Sequence, residues 1–150
     1  MAITTVADVL QRAAEFEKML AEYYDGLSRS STREGVRMLA NYMSRHRVRM
    51  EENLKNLSPA QLARVRGEPL RYDPQAADCR CFEGVTLSPE ASASQVLDAA
   101  ITFDECLVRL YRQVLQQPVA QEVKELFESL TRAEERDEIE LKKIKAMDYF

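Results

Sequence analysis

The chain has 150 residues, 45% hydrophobic and 31% charged, with a net charge of −4. That length supports one domain with a real core, and the interspersed charge argues against a dedicated nucleic-acid binder. No apolar run is long enough to span a bilayer, and the opening MAITTVADVLQRAAEF has neither the basic start nor the apolar core of a signal peptide. The expectation is a cytoplasmic protein without membrane or nucleic-acid partners.

Only four glycines and five prolines interrupt the sequence, which favours long helices. The first helix is expected over about 5–29, with Val6, Leu10, Ala13, Leu20, Tyr24 and Leu27 at helical spacing. The second is expected over about 32–57, opened by Ser31 and Glu34 of a capping box. Its stripe is Val36, Leu39, Met43, His46, Met50 and Leu57, and Ser58-Pro59 stops it. The basic cluster Arg45, Arg47 and Arg49 reads as a solvated face of this helix.

Residues 58–91 hold four of the five prolines and two of the three cysteines, and read as a long crossover with one short helix begun at Ser58 and Pro59. Cys79 and Cys81 form a C-x-C without a second pair or a nearby histidine, a poor metal knuckle. Disulfides are not expected in a reducing compartment, and Cys106 reads as a small core residue. The third helix is expected over about 92–116, opened by a second capping box in SASQ, and the fourth over about 119–146 after Pro118. The third carries Val96 or Leu97, Ala100, Leu107 or Val108, Tyr111 and Val114; the fourth carries Val123, Phe127, Leu130, Leu141 and Ile144. Two short loops and one long middle crossover describe an all-α, antiparallel four-helix bundle of the ferritin type, one domain over 1–150.

The two halves align. With Phe16 on Phe103, Glu17 falls on Asp104, Leu20 on Leu107 and Tyr24 on Tyr111. In the next helices Leu39 falls on Leu130, Met43 on Glu134 and His46 on Asp137. The shared acid-to-tyrosine spacing points to an internal duplication.

The apolar stripes contain acids. Glu17, Asp104 and Glu134 sit at positions that the helical period assigns to the interior, and Asp137 shares a face with Glu134. A buried carboxylate must be paired, protonated or bound to a cation. Four acids and His46 converging at mid-bundle would suit a dinuclear iron or manganese centre.

In these residues the chain resembles the ferritin-like superfamily, and within it the rubrerythrin-like proteins. The resemblance implies metal ligands at Glu17, His46, Asp104, Glu134 and Asp137, with Glu17 and Asp104 as terminal carboxylates. It also implies departures. Met43 stands where a bridging glutamate belongs, and a thioether does not bridge two hard cations. Asp137 stands where a second histidine belongs, and Asp104 is shorter than the usual glutamate, although a small rotation could offer the neighbouring Glu105 in its place. The rubredoxin-like domain of true rubrerythrins is missing, and an iron-storage cage is not expected from a sequence that ends soon after its fourth helix. Two functions follow. One is a bundle with a degenerate site, not a competent ferroxidase, that acts through partner binding or as a homodimer. The other is an iron- or manganese-binding oxidoreductase using one or two ions.

Overall fold

A computed structural model describes residues 3–74, 79–82, 85 and 87–147. Among the described residues five α-helices run in the order α1 (Val6–Ser30), α2 (Glu34–Lys55), α3 (Pro59–Val65), α4 (Ala93–Leu115) and α5 (Gln121–Met147), with a 3-10 turn at Cys79–Phe82 between α3 and α4. The fold class is the expected one: α1, α2, α4 and α5 build a four-helix bundle, and α3 lies in the crossover.

Helix ends follow local chemistry. Thr5 and Asp8 cap α1 reciprocally: the Thr5 N–H donates to Asp8 Oδ2 at 2.8 Å, and the Asp8 N–H donates to Thr5 Oγ1 at 3.4 Å. Ser92 and Gln95 form the expected capping box on α4. The expected box at Ser31 and Glu34 does not form. Arg33 takes the N-cap position of α2 without a side-chain bond, and Ser31 caps the end of α1, its N–H donating to the Leu27 carbonyl. The tight α1–α2 turn uses Ser31 for the outgoing helix, and α2 starts at Glu34. Ser58 precedes α3 with Pro59 at its first turn, but its side chain makes no capping bond.

The α1–α2 hairpin packs along its length, as does the α4–α5 hairpin, and the two close face to face. Their apolar stripes merge into one core, with Phe16, Tyr24, Phe103, Tyr111 and Phe127 fully enclosed. Ser44 Oγ on α2 donates to the Ala21 carbonyl on α1 at 2.8 Å, and Arg112 on α4 reaches Glu135 on α5 at 3.0 Å.

The crossover is pinned at both ends. Its first part pairs with the start of α1, through Val6 N–H to the Glu68 carbonyl and Leu70 N–H to the Thr4 carbonyl. Gln117 then holds Tyr72 by two hydrogen bonds of 2.9 Å. Near its end the Thr32 N–H donates to the Pro89 carbonyl. Between these anchors a disulfide joins Cys81 to Cys106, contrary to the expectation of free thiols. Cys106 is buried as expected, but α4 presents it to the crossover, where a second sulfur meets it. The Cys79 side chain lies outside the described residues.

Candidate charge centre

Each helix of the bundle places one or two polar side chains on its buried stripe at mid-height. Glu17 comes from α1, Asp104 from α4, and Glu134 with Asp137 from α5. Glu17, Asp104 and Glu134 are fully buried, and Asp137 is partly buried. The four carboxylates thus converge. What they converge on is Arg47, whose side chain is 2% exposed.

The reading of Arg47 as part of a solvated face is therefore corrected. Arg45 and Arg49 are exposed, but Arg47 points inward. The cause is rotational. At about 100° per residue, Arg47 lies about 40° to one side of Met43 and His46 about 60° to the other. The buried positions Val36, Leu39, Ala40, Met43 and Leu54 centre the stripe on the Arg47 side. His46 is turned toward the rim, 30% exposed, its ring parallel to Tyr42.

The guanidinium is well used. Arg47 Nη1 donates to Glu17 Oε1 at 2.9 Å and to Glu134 Oε2 at 3.3 Å. Nη2 donates to Asp137 Oδ2 at 2.9 Å and more closely to Asp104 Oδ1. The four terminal N–H groups thus serve four acids, a match that the planar, always charged guanidinium makes better than lysine could. His46 Nε2 lies 3.0 Å from Asp137 Oδ1 without the alignment of a hydrogen bond.

One cation cannot balance four ionised acids, so protons must do the rest. Burial pushes Glu17 up to about 8, against the opposing pull of Arg47 and with help from Glu134. Burial pushes Asp104 up to about 10, again against Arg47, and the neighbouring Asp137 carboxylate adds to the rise. Glu134 is raised by burial as well. Asp137 goes the other way: burial would raise it, but the close approach of His46 and Asp104 and the charge of Arg47 hold it well below the usual carboxylate range. At neutral pH, Glu17 and Asp104 carry protons and Asp137 is the anion facing Arg47. Tyr24 and Tyr111 flank the centre, both fully buried, and burial raises both phenols well above their ordinary value. Glu17 Oε2, Asp104 Oδ2 and the Tyr24 hydroxyl have no hydrogen-bond partner among the described residues.

The donor set can be tested against a metal. Asp104, Glu134 and Asp137 bring one oxygen each within 4.8 Å of one another, a spacing that would suit one hard cation. A metal pair does not fit. Met43 is buried where the resemblance implied a bridging carboxylate, and the guanidinium bonds one oxygen of each of the four acids. A divalent ion held by these oxygens would meet the charge of Arg47 within hydrogen-bonding distance of its own ligands. Glu105, the neighbour that could have substituted for Asp104, is exposed.

No family model matches the chain, and no curated protein matches it. Among solved structures, a crystal structure of a Thermotoga maritima protein, provisionally described as a ferritin-like diiron-carboxylate protein, aligns over 97% of both chains with a TM-score of 0.65 and 14% identity. The long crossover, the two hairpins and the inward acids belong together: this chain has the ferritin-like four-helix fold.

Proposed function

We propose that this protein is a ferritin-like bundle with a degenerate metal site, in which Arg47 has taken the place of the metal ions, and that it acts by binding a partner or a second copy of itself rather than as a ferroxidase. The observation that carries this reading is the Arg47 side chain, buried to 2% exposure and bonded to four carboxylates. A permanent internal cation removes the need for an external one. Glu17, Asp104 and Glu134 at ligand positions support a rubrerythrin-like ancestry, and the matched burial of Phe16 with Phe103 and Tyr24 with Tyr111 supports a duplication.

An outward face of α2 supports the binding role. Met38 is 64% exposed and Tyr42 57%, on a broad groove of about 920 Å³ edged by Arg37, Arg45 and Arg49. Exposed apolar side chains ringed by charge are common features of docking surfaces. No helix of the described residues is long and apolar enough to cross a membrane; the cytoplasm remains the proposed compartment.

The close approach of Asp104, Glu134 and Asp137 favours a second reading. In it a single iron or manganese ion displaces Arg47, and Glu17 and His46 complete an oxidoreductase site. Aerobic Fe(II) oxidation and sedimentation of the purified chain separate the two. The first reading expects oxidation at the buffer rate, and dimers that Tyr42→Asp disperses. Protein-dependent turnover of Fe(II) would establish the second.

A further inference from the structure

The 3-10 turn of the crossover is held by a different chemistry from its ends. Phe82 inserts against the α1–α4 face, its ring centroid 4.7 Å from Phe103, 5.5 Å from Phe16 and 5.8 Å from Tyr23. Each of those three residues immediately neighbours a member of the charge centre or its flank: Phe103 precedes Asp104, Phe16 precedes Glu17, and Tyr23 precedes Tyr24. Phe82 therefore packs on an aromatic layer built jointly by α1 and α4. Beside it, Cys81 is bonded to Cys106 on α4, with Cα atoms 6.5 Å apart.

The two sulfurs are unlike. Cys106 is 1% exposed, whereas Cys81 is only half-buried, so a small thiol reaches Cys81 first. Arg109, one turn along α4 and exposed, donates from Nη2 to Cys106 Sγ at 3.2 Å. A guanidinium in that place stabilises Cys106 as the departing thiolate. We propose that Cys81, Cys106 and Arg109 form a thiol–disulfide exchange site that fastens Phe82 against the aromatic layer of α1 and α4 and releases it on reduction.

The co-reactant is a dithiol. Its thiolate attacks Cys81 Sγ, forming a mixed disulfide and expelling Cys106 as a thiolate, which then takes a proton. The second thiol of the reductant attacks the mixed disulfide, frees Cys81 as a thiol and closes the reductant's own disulfide. Two electrons pass from the dithiol to the cysteine pair. Once the bond is open, only packing keeps Phe82 in place.

Hydrogen exchange on the full chain, oxidised, reduced with dithiothreitol and then reoxidised, tests this. A non-reduced peptide map should show Cys81 joined to Cys106. Reduction should speed amide exchange about tenfold in the segment around Phe82, leave α1 and α4 protected, and reverse on reoxidation. Cys81→Ser should show the reduced pattern and ignore dithiothreitol. Arg109→Met should slow reduction about threefold or more without changing either pattern. The proposal is overturned by a map that joins Cys79 to either sulfur, by unchanged exchange in fully reduced protein, or by protection lost along α1 and α4 as well. An unaltered reduction rate in Arg109→Met would overturn Cys106 as the departing sulfur.

Discussion

The two hairpins contribute opposite halves of one electrostatic unit. The α4–α5 hairpin supplies three acids, Asp104, Glu134 and Asp137. The α1–α2 hairpin supplies one acid, Glu17, and the cation, Arg47, with the buried Met43 one turn before Arg47. A metal centre would need both hairpins to be acidic and an ion to join them. Here one hairpin brings the cation itself, so the joint between the hairpins is an internal ion cluster. Such clusters contribute less to net stability than their geometry suggests, because desolvation offsets the attraction. They are sharply intolerant of losing one member.

Removing the cation should break the comparison most severely. Arg47→Met leaves the Asp137 anion without its counter-charge and the other three acids without their hydrogen-bond donor, and should lower stability by about 3–5 kcal/mol in metal-free buffer, read by denaturant unfolding. A loss below about 1 kcal/mol would mean that the acids do not depend on Arg47.

Making the two hairpins alike should change the chemistry. Met43→Glu alone should bind no more iron than the wild type, since Arg47 will pair with the new acid. Met43→Glu with Arg47→Ala should bind Fe(II) or Mn(II), measured by anaerobic titration calorimetry. Equal binding by the single and double variants would show that Arg47 is no obstacle.

The proton balance gives a smaller, pH-dependent effect. Glu17 and Asp104 have folded values raised to about 8 and about 10, above those of the unfolded chain. Their contribution is complete below the ordinary carboxylate range and is lost as pH rises toward those values. Stability should therefore fall as pH rises from about 5 toward 8. Asp137 has the opposite sign, and its contribution is lost only in strong acid. Glu17→Gln should flatten the fall in melting temperature between pH 5 and 8, and an unchanged slope would place the proton elsewhere.

The smallest effect tests whether the hairpins begin alike. Thr5→Ala on α1 and Ser92→Ala on α4 each remove a reciprocal cap and should each cost about 1 kcal/mol.

Much of this fold was legible because its helices are long and their stripes regular. The first and third expected stripes, from Val6 to Leu27 and from Val96 to Val114, are buried as read. The inward acids were legible for the same reason. Arg47 was not, because an arginine between two exposed arginines looks like solvated charge, and because His46 at i+3 from Met43 competed with Arg47 at i+4. One signal could have found it: four interior acids require a cation, and Arg47 is at a position from which a long side chain can reach mid-bundle. The fourth stripe drifted too, with Leu130 only half-buried and Thr131 enclosed in its place. The Cys81–Cys106 pair was beyond sequence reasoning, since it depends on where a 25-residue separation folds back.

Metal content tests the central claim most directly. Wild type and Arg47→Ala, purified without chelators, would be loaded anaerobically with Fe(II) or Mn(II), desalted and measured by mass spectrometry. The account predicts less than about 0.1 ion per chain in the wild type and about one in Arg47→Ala. One or two ions in the wild type, with Arg47 intact, would contradict it.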